Sequence, residues 1–237
     1  MEQYRIPDAP VSMFYIHDFI TEEEEQAILQ SIPAKRWVSL SHRRLQAVPT
    51  RLTATNTLLA SPLPTWLTVP IVSRFNELGI FEGAPHGVNH CLINEYLPGQ
   101  GIMPHEDGGA YHPVVATVSF SGSLVLDVTE KGASIPRDGG ADANQDGPKS
   151  WRILQEPRSL LVTVGAAYDD TLHGIADVTE DVDLNKHTVA NWNLLGDTQS
   201  IEASQGRNER TTRISLTYRD VKKVSTIGSK LFGKAKG

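Results

Sequence analysis

Residues 94–107 read Asn94-Glu-Tyr-Leu-Pro-Gly-Gln-Gly-Ile-Met-Pro-His-Glu-Asp107. The β-rich run Val88 to Tyr96 leads into the tight turn Pro98-Gly-Gln-Gly101, and Pro104 restricts the approach to His105 at the start of a new strand. His105 and Asp107 are two apart, so on extended backbone they point to one side and reach a single ion. Strand-like runs continue at Val114 to Phe120, Ser123 to Val128, Arg158 to Val164 and Arg213 to Val221, several alternating with period two. Many short strands without helical periods between them indicate a β-sandwich or jelly roll.

A third ligand must come from another strand. His173, in Leu172-His-Gly-Ile175, follows the strand Leu160 to Val164 and a short turn, which lets a sandwich carry it across from His105. Two histidines and one carboxylate form the facial set that binds non-haem Fe(II) and leaves coordination positions open. The same donors suit Mn, Co, Ni and a catalytic Zn. Arg213 and Arg219, six apart in Arg213-Ile-Ser-Leu-Thr-Tyr-Arg219, share one strand face. A guanidinium grips a carboxylate through two parallel hydrogen bonds, so the pair can hold a dicarboxylate such as 2-oxoglutarate beside the metal. Asn94 and Tyr96, also same-facing, can add hydrogen bonds. Each piece alone is as common in surface or structural roles; their order and framing together are specific. His17, His42, His86, His90, His112 and His187 lack such framing and read as surface or packing residues.

With 237 residues the chain can bury one sizeable core. No apolar run approaches the roughly 20 residues that span a bilayer, and Met1-Glu-Gln-Tyr-Arg5 lacks the plan of a signal peptide. The one cysteine, Cys91, rules out an internal disulfide and reads as a small core residue; an intracellular, reducing compartment is expected. The formal charge is −6, but unevenly spread. From Gln26 to Asn76 there is no acid, while Lys35, Arg36, Arg43, Arg44, Arg51 and Arg74 are basic. Such a local field suits a polyanion; a solvated surface explains it equally well.

Val11 to Phe19 reads as a strand leading into a helix. Thr21 and Glu24 form a capping-box pattern, and Glu22 to Glu25 favour the positive end of the helix dipole, so this acidic run starts a helix and is not a metal site. Short strands and loops are expected over 37–66, and Trp66 to Leu78 can form a helix after Pro64. Two segments look like insertions: Arg137 to Lys149, and the polar, aperiodic Asp177 to Arg210. Asp142-Ala-Asn-Gln-Asp-Gly147 matches the start of a calcium loop, but position twelve is Ile153 and helical flanks are absent, so it reads as a polar loop.

Taken together, Asn-x-Tyr, Pro-Gly-x-Gly-Ile-x-Pro-His-x-Asp, Leu-His-Gly-Ile and Arg-x-Ser-Leu-Thr-x-Arg resemble the AlkB-type Fe(II)/2-oxoglutarate dioxygenases, and among them the eukaryotic AlkB homologue six subfamily. The similarity runs over roughly residues 11 to 221. It implies a mainly β (α+β) fold, a double-stranded β-helix or jelly roll with N-terminal helices packed on one sheet. Residues 1–86 would hold those helices and a nucleotide-recognition lid, 87–223 the catalytic core, and 224–237 a flexible basic tail. His105, Asp107 and His173 would bind Fe(II). Arg213, helped by Tyr96, would meet the distal carboxylate of 2-oxoglutarate, with Arg219 and Asn94 nearer its chelating end. Ser215 stands where many AlkB proteins have Asn, which shortens or removes one contact. The gap of 40 from His173 to Arg213 exceeds that of the bacterial type, an elaboration that could shape substrate access. The implied activity is oxidative demethylation or repair of alkylated DNA or RNA, preferably single-stranded, by a monomer in cytoplasm or nucleus. In the lid, Trp37, His42 and Trp66 would be available for stacking on bases. A protein or small-molecule hydroxylase, or a non-catalytic nucleic-acid-binding module, would use the same scaffold.

Overall fold

A computed structural model describes residues 1–7, 9–10, 12–132 and 149–225. The Asp142–Gly147 motif, nearly all of the Arg137 to Lys149 segment and the tail beyond Ser225 lie outside the described residues. In chain order the strands are β1 (Met13–Ile16), β2 (Val38–Ser39), β3 (Arg44–Val48), β4 (Thr57–Leu59), β5 (His90–Tyr96), β6 (Ile102–His105), β7 (Tyr111–Phe120), β8 (Leu124–Glu130), β9 (Ser150–Gln155), β10 (Leu160–Val164), β11 (Thr171–Ile175), β12 (Glu180–Asp181), β13 (Asn208–Glu209), β14 (Arg213–Val221) and β15 (Lys223–Ser225). The helices are α1 (Glu22–Ser31), α2 (Thr65–Thr68), α3 (Ile71–Glu77), α4 (Gly165–Asp170) and α5 (Thr198–Ala203).

The larger sheet runs β1-β10-β7-β14-β5-β3-β2 and the smaller β6-β11-β8-β9. From β5 onward the chain steps between the two sheets, and both are antiparallel. This is the double-stranded β-helix expected from the sequence. Period-two alternation explains how the larger sheet is buried on both faces. Cys91 and Ile93 of β5 point outward into a cluster with Leu216 and Tyr218 of β14 and with Phe19, Ile28, Leu67, Ile71 and Phe75 of the helical layer. Phe75 meets the Tyr218 ring edge-on at 5.2 Å and stacks on Phe19 at 5.6 Å. Leu92, Asn94 and Tyr96 point inward, towards the smaller sheet.

α1 begins as its sequence dictates. The Glu24 backbone N–H donates to Thr21 Oγ1 at 3.2 Å and the Thr21 N–H to Glu24 Oε2 at 2.8 Å, a complete capping box. The span Trp66 to Leu78 is broken into α2 and α3, against the single helix expected. Pro70 offers no N–H, and it holds Val69 extended (φ −112°, ψ 123°). No helix of the described residues is long and apolar enough to cross a membrane.

The 177–210 segment packs mainly on the outside of the smaller sheet. None of its residues lines the cavity between the sheets. Leu184, Val189 and Trp192 instead cover Val125 and Leu154 on the outer face of the smaller sheet. Asn191 donates to and accepts from the Leu154 backbone at 2.8 and 3.0 Å, blunting the exposed edge of β9. Buried Arg210 pairs with Asp181 and donates to Ala176 O at 2.7 Å, pinning the segment to the end of β11.

Candidate metal and co-substrate site

The cavity between the sheets takes one wall from β5, β7, β10 and β14 and the other from β6, β8, β9 and β11. His105 is the last residue of β6, not the first of a new strand as the sequence suggested, because β6 already pairs with β11 from Ile102 onward; it faces its cross-strand partner His173. Their ring centroids are 4.4 Å apart. Asp107 follows in the turn after β6, and one ligand atom from each of the three lies within 4.8 Å of the others. Close approach of β6 and β11 requires glycine at two points. A Cβ on Gly101 would sit 2.2 Å from Ile175 O, and one on Gly174 would crowd Pro104 and Ile102.

The donor atoms suit a divalent ion. His105 Nδ1 lies 2.9 Å from Met103 O, and a carbonyl only accepts, so Nδ1 carries the proton and Nε2 keeps its lone pair free. Burial depresses His173 to about 4, keeping it neutral. Burial pushes the Asp107 carboxyl up, but the charge and hydrogen bond of Arg219 outweigh this and hold it below its ordinary value. Asp107 also pairs directly with buried Arg219. Two imidazoles and one ionised carboxylate are a fitting set for Fe(II).

Arg213, Ser215, Thr217 and Arg219 alternate along β14 into the cavity, opposite Asn94 and Tyr96. Arg213 is 2% exposed, yet its described partners are neutral. It donates to Ser119 Oγ at 2.8 Å and Gln155 Oε1 at 2.9 Å, and its Nε has no partner. Burial pushes it down to about 10. A buried guanidinium that lines a cavity and has one unpartnered N–H fits an incoming carboxylate. Arg219 Nε is likewise unpartnered. Gln155 and Ser119 were not singled out in the sequence. Gln155 was findable as the polar residue following inward-facing Trp151 and Ile153 on β9; isolated Ser119 gave no signal. Half-buried Tyr168 also lines the cavity, its hydroxyl donating to Gly108 O at 3.0 Å beside Asp107.

The basic 26–76 segment is only partly free. Arg74 is bound by Glu24 at 2.7 Å, Arg44 pairs with Glu95 and lies over Trp37, and Arg36 donates to Pro49 O. Trp37 and Trp66 are both half-buried and pack against the helical core. Arg43, at the end of the β2–β3 turn, reaches inward, and its Nε donates to Asn94 Oδ1 at 3.3 Å.

On β5, buried His90 has an unpartnered Nδ1, and burial together with the charge of Arg219 depresses it to about 4. Its folded value lies below its unfolded one, so the unfolded chain takes up the extra proton. Stability is therefore present above about pH 6.5 and lost as pH falls towards 4, by about 3 kcal/mol from this group. Urea unfolding at pH 7 and pH 4.5 is expected to show a shallower pH dependence in His90→Gln; an unchanged dependence would contradict this.

No protein-family profile matches the chain. Among solved structures it is similar to OsALKBH1 (TM-score 0.51, 13% identity, 88% of this chain and 97% of that one). It is equally similar to a Pseudomonas putida prolyl-4-hydroxylase (TM-score 0.51, 12% identity, 89% and 93%). These likenesses establish the fold. The relatives in sequence define the protein as a 2-oxoglutarate- and Fe(II)-dependent dioxygenase. It is 37% identical over 230 residues, 94% of this chain and 92% of the other, to the Danio rerio "Probable RNA/DNA demethylase ALKBH6". It is 25% identical over 226 residues to the Xenopus tropicalis "tRNA (carboxymethyluridine(34)-5-O)-methyltransferase alkbh8", of which it spans 32%. The chain belongs to the AlkB family, with the homologue-six relatives.

Proposed function

We propose that His105, Asp107 and His173 hold the Fe(II), that Arg213, Tyr96, Ser215, Asn94 and Arg219 receive 2-oxoglutarate, and that this chain removes alkyl groups from single-stranded DNA or RNA. The observation that carries the reading is Arg213: a buried cation with neutral partners and an orphan N–H, lining the same cavity as the cluster of three ligands but from the opposite wall. Fe(II) held by His105, Asp107 and His173 would supply the oxidation chemistry, in which O₂ and 2-oxoglutarate give succinate, CO₂ and a hydroxylated substrate carbon.

The chain's own residues do the rest. Arg213 fixes one end of the co-substrate, and Ser119 and Gln155 hold the guanidinium plane. Arg219 holds the Asp107 carboxylate in place and keeps it ionised. The apolar inner faces, Leu126, Val128, Leu161 and Ile175 among them, keep the cavity dry. Because the cavity lies between two sheets, a base must leave its stack to enter, which favours single strands. Residues 1–86 supply the helical layer and the substrate-facing hairpin, and 87–223 the catalytic core.

The nucleic-acid substrate is supported by the name of the Danio rerio relative and by cavity-facing Arg43. A screen of methylated oligonucleotides and methylated peptides tests it. Equimolar succinate and formaldehyde with oligonucleotides alone are expected. Formaldehyde or hydroxylated product from peptides alone would assign the protein-hydroxylase alternative.

A further inference from the structure

The cavity wall carries more positive charge than the proposed site needs. Among the described residues lining it, Arg43, Arg213 and Arg219 are permanently charged and Asp107 is the one acid. Asp107 is consumed by Arg219. A dicarboxylate would cancel the charge of Arg213 and part of that of a divalent ion, leaving positive charge at the ion and on Arg43.

Among the described residues no carboxylate neutralises Arg43. Its one described polar partner is the neutral amide of Asn94, on the cavity side of β5. The neighbouring acid Glu95 faces the other way and is held by Arg44 at 2.5 Å. Glu106, beside Asp107 in sequence, is turned out to solvent and pairs with Lys131. The Tyr96 hydroxyl, raised by burial, feels Arg43 as the first of the charges that oppose that rise. So the guanidinium acts within the cavity although it comes from an outer hairpin.

Alkylation divides nucleobases by charge. A methyl on a ring nitrogen that bears no proton in the ordinary base, as in N3-methylcytosine, fixes a formal positive charge at neutral pH. A methyl replacing a ring N–H, as in N3-methyluracil, leaves the base neutral. A cationic base entering this cavity would lose hydration and meet like charge, with no free carboxylate to receive it. Like-charge juxtaposition is an effective way to reject a partner.

We infer that this chain selects neutral alkylated bases over cationic ones, with Arg43 as the residue that sets the preference. The inference rests on the nucleic-acid reading above and names the substrate class within it.

The test uses two single-stranded oligonucleotides identical except for one base, N3-methylcytosine or N3-methyluracil, with the methyl at the same ring position. Equilibrium binding to the protein without iron is read by fluorescence anisotropy, and formaldehyde release is read with Fe(II) and 2-oxoglutarate present. The neutral oligonucleotide is expected to bind at least about tenfold more tightly, equivalent to about 1.4 kcal/mol. Arg43→Gln should narrow that ratio and Arg43→Glu invert it. Both oligonucleotides are compared on the same variant, so a folding defect cancels from the ratio. Equal or tighter binding of the cationic base by the unaltered protein, or a ratio unmoved in both variants, overturns the inference and leaves the proposed function standing. Binding of neither oligonucleotide, with no formaldehyde from either, overturns the nucleic-acid reading and this inference with it.

Discussion

Replacing His105 by alanine should abolish 2-oxoglutarate turnover while leaving the fold nearly as stable as before, whereas replacing Asp107 should cost both. The two ligands differ in what else they hold. His105 is half-buried, and its one described polar partner is Met103 O, so its loss changes stability by about 1 kcal/mol or less. The Asp107 side chain is 5% exposed and pairs with Arg219, 8% exposed. Asp107→Ala leaves that guanidinium buried without its carboxylate. Breaking a buried pair from one side costs about 3–5 kcal/mol, which for a chain of this size lowers Tm by roughly 10 °C. Turnover should fall by about 10³-fold or more in either variant, and the double variant should be little worse, as for residues that act as a unit. Succinate formation and thermal melts on the metal-free protein check both halves. An equal loss of stability in the two variants would contradict the asymmetry.

Arg213→Met should do the opposite to stability. Without co-substrate, Arg213 is a buried charge whose described partners are Ser119 and Gln155, with Nε unsatisfied. A methionine of similar length removes that desolvated charge. Ser119 and Gln155 already lie 3.3 Å apart, so they retain each other. Metal-free Arg213→Met is expected to be as stable as the unaltered protein or more stable by about 1–2 kcal/mol. The co-substrate loses its anchor, and truncating one partner of a buried charged contact costs about 2–5 kcal/mol of binding. The KM for 2-oxoglutarate should therefore rise by about 30-fold or more. Calorimetric melts and steady-state kinetics read the two effects separately. A destabilised protein with an unchanged KM would assign Arg213 a purely structural role.

Local signals carried well from sequence to structure. The capping box at Thr21 and Glu24 needs four residues, and it forms. The alternation along β5 and β14 separates Cys91, Ile93 and Leu216 from Asn94, Tyr96, Arg213 and Arg219 without any tertiary knowledge. Long-range pairings were not legible. Arg213 meets Gln155 and Ser119 across 58 and 94 positions, and nothing near Arg213 announces either. The basic 26–76 segment looked free because the acids that bind Arg74 and Arg44, Glu24 and Glu95, lie 50 and 51 residues away. The 177–210 segment looked like a loop because Leu184, Val189 and Trp192 keep no helical or strand period. They become a hydrophobic cover only once β8 and β9 present Val125 and Leu154 beneath them.

The central claim is that one ion is held by His105, Asp107 and His173. Anaerobic equilibrium dialysis of Fe(II) against the unaltered protein and its His105→Ala and His173→Ala variants tests it most directly. The expected result is one tightly bound ion per chain, lost in both variants while their far-ultraviolet circular dichroism stays unchanged. Fe(II) bound with undiminished affinity by either variant would contradict the account.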